Sequence, residues 1–186
     1  MFVVFGITGT LGAGKGEIAN FFVSQKNFAH YSVTAFLIEE INRRKLPVNR
    51  DSMVLVANDL RKVNGPGYIV DLLLQRAKKV GKPAIIESIR TSGEVETLRK
   101  EPFFKLLAVD ADPTLRYERV FSRKSEKDKI TFEEFLSNEQ REMHATDKAT
   151  QNLSYCIEHA DFQLTNNGSL EELYAELEEL YNDFST

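Results

Sequence analysis

The chain has 186 residues, 42% hydrophobic and 28% charged, with a net charge of −4. That length suits one well-buried domain and is short for two, and the acidic balance argues against duplex nucleic acid as a partner. A single cysteine, Cys156, excludes an intrachain disulfide, and with three scattered histidines (His30, His144, His159) it excludes a Cys/His metal cluster.

The apolar run at the start reaches glycines and a lysine too soon for a membrane span or a signal peptide. It reads as a buried strand over Phe2–Thr8, and the protein is expected in the cytoplasm, away from membranes. Next come a helix over Lys15–Gln25, with Ile18, Phe21 and Phe22 on one side, and a short strand over Phe28–Ser32. A helix is expected from about Thr34 to Arg44. After a connection through Pro47 and Arg50, Asp51 or Ser52 could cap another helix running to Val63. Asn64-Gly65-Pro66-Gly67 is a break, and Tyr68–Val80 returns to helical period. Ala84–Ser88 and Phe103–Val109 are apolar enough for central parallel strands, and Phe162–Thr165 is the last strand. The closing helix carries Leu170, Leu173, Tyr174, Leu177, Leu180, Tyr181 and Phe184 as one stripe behind a Ser169 cap. Strands alternating with helices imply βαβ units and a mostly parallel sheet covered on both faces. Reactive groups in such sheets gather at the carboxyl ends of the strands.

Gly9-Thr10-Leu11-Gly12-Ala13-Gly14-Lys15-Gly16 follows the first strand and opens the first helix. It matches the phosphate-loop pattern G-x-x-x-x-G-K in the context that pattern requires. Glycines let successive N–H groups point inward, and the helix N-terminus adds the positive end of its dipole. Gly9, Thr10, Gly12, Ala13, Gly14, Lys15 and Gly16 are therefore candidate ATP-binding residues, with Lys15 placed for the β and γ phosphates. Gly16 stands where a metal-binding Ser or Thr is common, with Glu17 after it, also counted in the cradle.

With its Gly-Lys-Gly ending, the chain resembles the nucleoside monophosphate kinase and dephospho-coenzyme A kinase branch of P-loop proteins, and is most similar to an archaeal-type kinase-like group. The likeness runs from Phe2 to about Tyr181. It implies a three-layer αβα P-loop NTPase fold with a mostly five-stranded parallel sheet, as one domain over 1–186. A helical acceptor-binding region is expected at about 34–80 and a short lid region at about 123–142. Glu87 and Arg90, in Glu87-Ser88-Ile89-Arg90, resemble the strand-end carboxylate and arginine of these kinases. The resemblance gives Glu87 to Mg²⁺ through water and Arg90 to the acceptor phosphate; an ion pair between Glu87 and an arginine is the plain alternative. Arg119 and Arg123 match the lid pair, while Arg116 fits either the lid or a surface. Arg141 matches an arginine returned to the phosphates, although a solvated helix face explains it nearly as well. Asn167 lies in a stretch matching the loop past the adenine, where turn chemistry is an equal reading. On the acceptor side Ala35 and Ile38 replace the family's Asp and Arg, which leaves Arg50 and Arg61 as candidate acceptor ligands.

The function so implied is ATP- and Mg²⁺-dependent phosphoryl transfer to a nucleoside or deoxynucleoside monophosphate. Its partners would be small nucleotides. A dephospho-coenzyme A kinase-like enzyme, or a nucleotide-binding regulator with weak ATPase activity, are the alternatives.

Overall fold

The computed structural model describes residues 2–122 and 130–185. Five strands form one parallel sheet: β1 (Val4–Gly9), β2 (Ala29–Ser32), β3 (Ala84–Glu87), β4 (Phe104–Asp110) and β5 (Phe162–Thr165), in the order β2-β3-β1-β4-β5. β1 is central and every one of its residues is buried, which is why it reads as an unbroken apolar run rather than an alternating one. The chain steps from β1 to the sheet edge at β2, returns to β3 on one flank of β1, then crosses to β4 on the other. β1 thus sits at the point where the winding reverses, and its carboxyl end opens into the crevice such a reversal creates.

Helices cover both faces. α1 (Lys15–Lys26) and α9 (Leu170–Ser185) pack on one side, where Phe5, Ile7, Ile85, Leu107 and Leu164 meet Ile18, Phe22, Leu173 and Leu177. Phe5, Phe22 and Phe28 lie ring against ring in that core, with Tyr181 and Phe184 at its margin. On the other side Val4, Ala84, Ile86, Phe104 and Leu106 meet a second helical layer. It comprises α2 (Val33–Arg43), α3 (Arg50–Asn64), α4 (Tyr68–Val80), α5 (Ser92–Leu98) and α8 (Leu153–Glu158). α6 (Pro113–Ser122) and α7 (Phe132–Met143) stand beside these layers, meeting through Tyr117, Phe132 and Phe135. The three-layer αβα arrangement and the five parallel strands agree with the sequence reading.

Helix starts are written in local chemistry. Ser32 accepts from the Ala35 N–H to open α2 one residue before the expected start, and Asn49 accepts from the Ser52 N–H to open α3 two or three residues before the expected cap. Thr91 with Glu94, and Thr131 with Glu134, form reciprocal capping boxes at α5 and α7. The short helices α5 and α8 have no counterpart in the sequence reading, because seven and six residues are too few for helical period to show. Among the described residues no helix is long and apolar enough to cross a membrane.

Candidate active site around the phosphate loop

The loop after β1 closes on the N-terminus of α1. Gly12 and Gly14 have φ of 83° and 109°, and a Cβ at Gly12 would lie 2.5 Å from the Arg116 carbonyl oxygen. At Gly14 it would lie 2.3 Å from Asn166 Nδ2. Both positions therefore need glycine for conformation and for space. Lys15 Nζ donates to the Gly9 and Thr10 carbonyls at 2.8 and 2.7 Å, folding its ammonium back over the loop. Gly16 faces open space, and Glu17 is exposed on the first turn of α1.

Two strand-end carboxylates flank this loop. Glu87 closes β3, with Oε2 at 3.5 Å from His30 Nε2. The hydrogen bond with His30 holds the carboxyl below its usual range; burial opposes the shift, and Ser32 and the charge of Lys15 add to it. Its hydrogen-bond partner is thus a histidine on β2 rather than an arginine. The next residue, Ser88, adopts the left-handed backbone at φ 70° and accepts from Thr34 Oγ1 at 3.2 Å. Sparsely populated conformations of this kind gather at functional sites. Asp110 closes β4 on the other flank. Thr10 Oγ1 and the Ala111 N–H donate to its Oδ1 at 2.5 and 2.8 Å, and Arg116 Nε lies 3.3 Å away. Sequence reasoning gave Asp110 no role, although its place at the end of a central strand matches that of Glu87.

Arg116 resolves into an interior clamp. It is 2% exposed and donates to the carbonyls of Ala111 at 2.8 Å and Leu11 at 3.3 Å, and to both carboxylate oxygens of Glu139 on α7. It therefore joins the phosphate loop, the β4–α6 turn and α7. One turn on, Arg119 Nη1 donates to the Asn166 carbonyl at 3.0 Å. The Asn166 side-chain amide donates in turn to the Ala13 carbonyl at 2.8 Å, so the loop after β5 lies against the phosphate loop. Asn167 is exposed and accepts from the Asp112 N–H at 2.7 Å. Arg123 and the segment Lys124–Asp128 lie outside the described residues.

On the side where the resemblance expects an acceptor, Arg90, in the segment after β3, donates from Nη1 to Glu142 Oε2 at 2.7 Å. Arg50, the first residue of α3, donates to the other oxygen of the same carboxylate. Burial lowers the pKa of the Arg90 guanidinium, and the neighbouring Arg50 charge adds to the shift. Arg141 is exposed and donates to Asn138 on its own helix. Arg61 departs from the expectation that it meets the acceptor. It is 4% exposed and pairs at 2.6 Å with Glu94, which is itself fully buried. A guanidinium enclosed with its own counter-ion is not presented to an incoming ligand. Instead, Glu94 accepts the Arg90 and Thr91 N–H groups at 2.9 and 3.2 Å, so Arg61 braces the turn that carries Arg90.

The donor set suits a magnesium ion held together with phosphate and water. Glu87 offers an ionised carboxylate near Lys15, and among the described residues no group of three His, Cys, Asp or Glu side chains could hold an ion alone.

Comparison with known proteins agrees with this fold. The family model described as AAA domain matches residues 6–147. A UPF0200 protein of Methanoculleus marisnigri is 31% identical over 179 residues, covering 95% of this chain and 94% of its own. The crystal structure of TT1252 from Thermus thermophilus superposes with a TM-score of 0.66 at 20% identity, covering 98% of this chain and 97% of that one. Shikimate kinase from Acinetobacter baumannii, in complex with shikimate, superposes with a TM-score of 0.61 at 11% identity, covering 98% and 94%. The chain therefore belongs to the AAA domain family and to the UPF0200 proteins, and it carries a P-loop kinase-like fold.

Proposed function

We propose that the protein transfers the γ-phosphoryl group of ATP to a nucleoside or deoxynucleoside monophosphate. The observation that carries this reading is the presence of two cationic seats on one edge of the sheet: the phosphate loop with Lys15, and Arg90 with Arg50 beyond Glu87. One seat fits a donor triphosphate and the other an acceptor's own phosphate, which is the demand of a phosphate-to-phosphate transfer.

In the reaction a phosphate oxygen of the acceptor forms a bond to Pγ while the bond from Pγ to the bridging β–γ oxygen breaks, releasing ADP. The acceptor oxygen is already anionic, so no general base has to remove a proton. Lys15 swings from the Gly9 and Thr10 carbonyls to the β and γ oxygens, and the loop N–H groups hold the β phosphate. Glu87 would hold Mg²⁺ through water, and the ion, when bound, supplies charge neutralisation on the β and γ oxygens. Arg90 and Arg50 hold the acceptor in line, with Arg119 and Arg141 available from the lid side. Asn166 and Asn167 bring the last loop to the donor nucleotide.

The test is ADP release from ATP·Mg²⁺ across all ribo- and deoxynucleoside monophosphates plus dephospho-coenzyme A. Stimulation by one monophosphate well above the ATP-alone rate, with Arg90→Ala raising the KM of that acceptor far more than the KM of ATP, supports the reading. Stimulation by dephospho-coenzyme A alone moves the acceptor to a hydroxyl compound. A flat panel with ATP still bound moves the protein to a nucleotide-binding regulator.

A further inference from the structure

α7 carries two inward carboxylates three residues apart, and each is fastened to a different side of the site. Glu139 is held by Arg116, which also holds the Leu11 carbonyl of the phosphate loop. Glu142 is held by Arg90 from the β3–α5 turn and by Arg50 from the start of α3, one guanidinium on each oxygen. Residues i and i+3 share a helix face, so one rigid helix bridges the donor and acceptor sides.

Two guanidinium groups from separate elements converging on a single carboxylate form an oxyanion seat, since carboxylate and phosphate oxygens take the same charge-assisted N–H donors. Glu142 is only 15% exposed there, so it is a largely enclosed occupant of a seat that opens to solvent on the Arg50 side, where Arg50 is 49% exposed. An incoming dianionic phosphate cannot share that place. With Glu142 retained, two cations would face three negative charges in a half-buried setting, where repulsion between anions is weakly screened.

We infer that Glu142 is an internal stand-in for the acceptor's phosphate, and that the acceptor binds by displacing Glu142 from Arg50 and Arg90. This rests on the acceptor side proposed above. Glu142 is then a specificity-determining residue: it admits only anions strong enough to compete for both guanidinium groups and turns away neutral ligands. Because Glu139 ties the same helix to Arg116, displacement at the acceptor side is transmitted to the phosphate loop through α7.

The experiment is calorimetric titration of inorganic phosphate into the full chain, with ADP·Mg²⁺ saturating the phosphate loop, for wild type, Glu142→Gln and Glu142→Ala. Phosphate should bind Glu142→Gln about tenfold tighter than wild type, as expected when a competitor vacates a seat only about a tenth of the time. Adding Arg90→Ala to Glu142→Gln should erase that gain. Unchanged phosphate affinity in both folded Glu142 variants, or a gain that survives Arg90→Ala, overturns the inference. The titration needs no turnover. A silent acceptor panel with tighter phosphate binding in Glu142→Gln therefore sinks the kinase reading and leaves the seat standing, while the converse sinks the seat alone.

Discussion

Lys15 and Arg90 make opposite uses of the interior. Lys15 is half-buried and rests on two carbonyls, which it would exchange for phosphate oxygens in the proposed reaction. Arg90 is half-buried against a carboxylate, and its backbone N–H is fixed by Glu94. Removing Lys15 takes away a cation without opening a hole in the core. Lys15→Ala is thus expected to lower ADP release by about a hundredfold or more, the scale seen when one preorganised charge-stabilising donor is lost. Its unfolding free energy should stay within about 0.5 kcal/mol of wild type, as for an ordinary substitution outside the core. Turnover and denaturant unfolding on the same preparation check both halves; intact turnover would take Lys15 out of the reaction. At this scale the sequence was most informative where a pattern fixes position. The eight residues of the loop had to curl after a strand and before a helix, so Lys15 was legible. Glu142 was not, because nothing in Glu139-Gln140-Arg141-Glu142 says which of the charged side chains turns inward.

Elements, rather than residues, explain why Arg61 and Arg116 escaped. Both sit on helices among exposed charges, where a guanidinium usually reaches water. Whether it turns inward is decided by a partner far along the chain: Glu94 on α5 for Arg61, and Glu139 on α7 for Arg116. No local period encodes such pairing. α5 itself is seven residues long and is defined by its capping box more than by an apolar stripe. The Arg61–Glu94 pair links α3 to α5 in the interior, and breaking one side leaves a buried charge without its counter-ion. Arg61→Met is expected to destabilise the fold by about 3–5 kcal/mol, measured by denaturant unfolding. Because Glu94 then holds the Arg90 turn less firmly, acceptor and ATP kinetics should both suffer, in contrast to the selective acceptor defect of Arg90→Ala. A selective rise in acceptor KM at unchanged stability would instead restore Arg61 as a ligand.

For the whole molecule, the alternation of buried strands and amphipathic helices left few topologies open, since parallel crossovers are right-handed and both sheet faces must be covered. That is why the layers and the parallel strands were legible, whereas the strand order and the central place of β1 depend on crossovers that no local pattern encodes. The two cores lie on opposite faces of the sheet, and the phosphate loop lies where β1 hands over to α1, with its glycines packed against Arg116 and Asn166. A nucleotide bound at the proposed site would touch groups contributed by β1, α1, β4 and the loop after β5, so its binding free energy should appear as global stability rather than local ordering. At a concentration 100 times Kd the gain is about 2.7 kcal/mol for a ligand that binds only the folded state. For a domain of this size each kcal/mol moves Tm by about 2–4 °C, so ATP·Mg²⁺ should raise Tm by about 5–11 °C. Calorimetric melting with and without ATP·Mg²⁺ checks this, with Lys15→Ala as the comparison. The variant should melt with the wild type in buffer and lose most of the nucleotide-induced rise, because the cation proposed to bind the β and γ oxygens is gone. An equal rise in both proteins would place the nucleotide away from the phosphate loop.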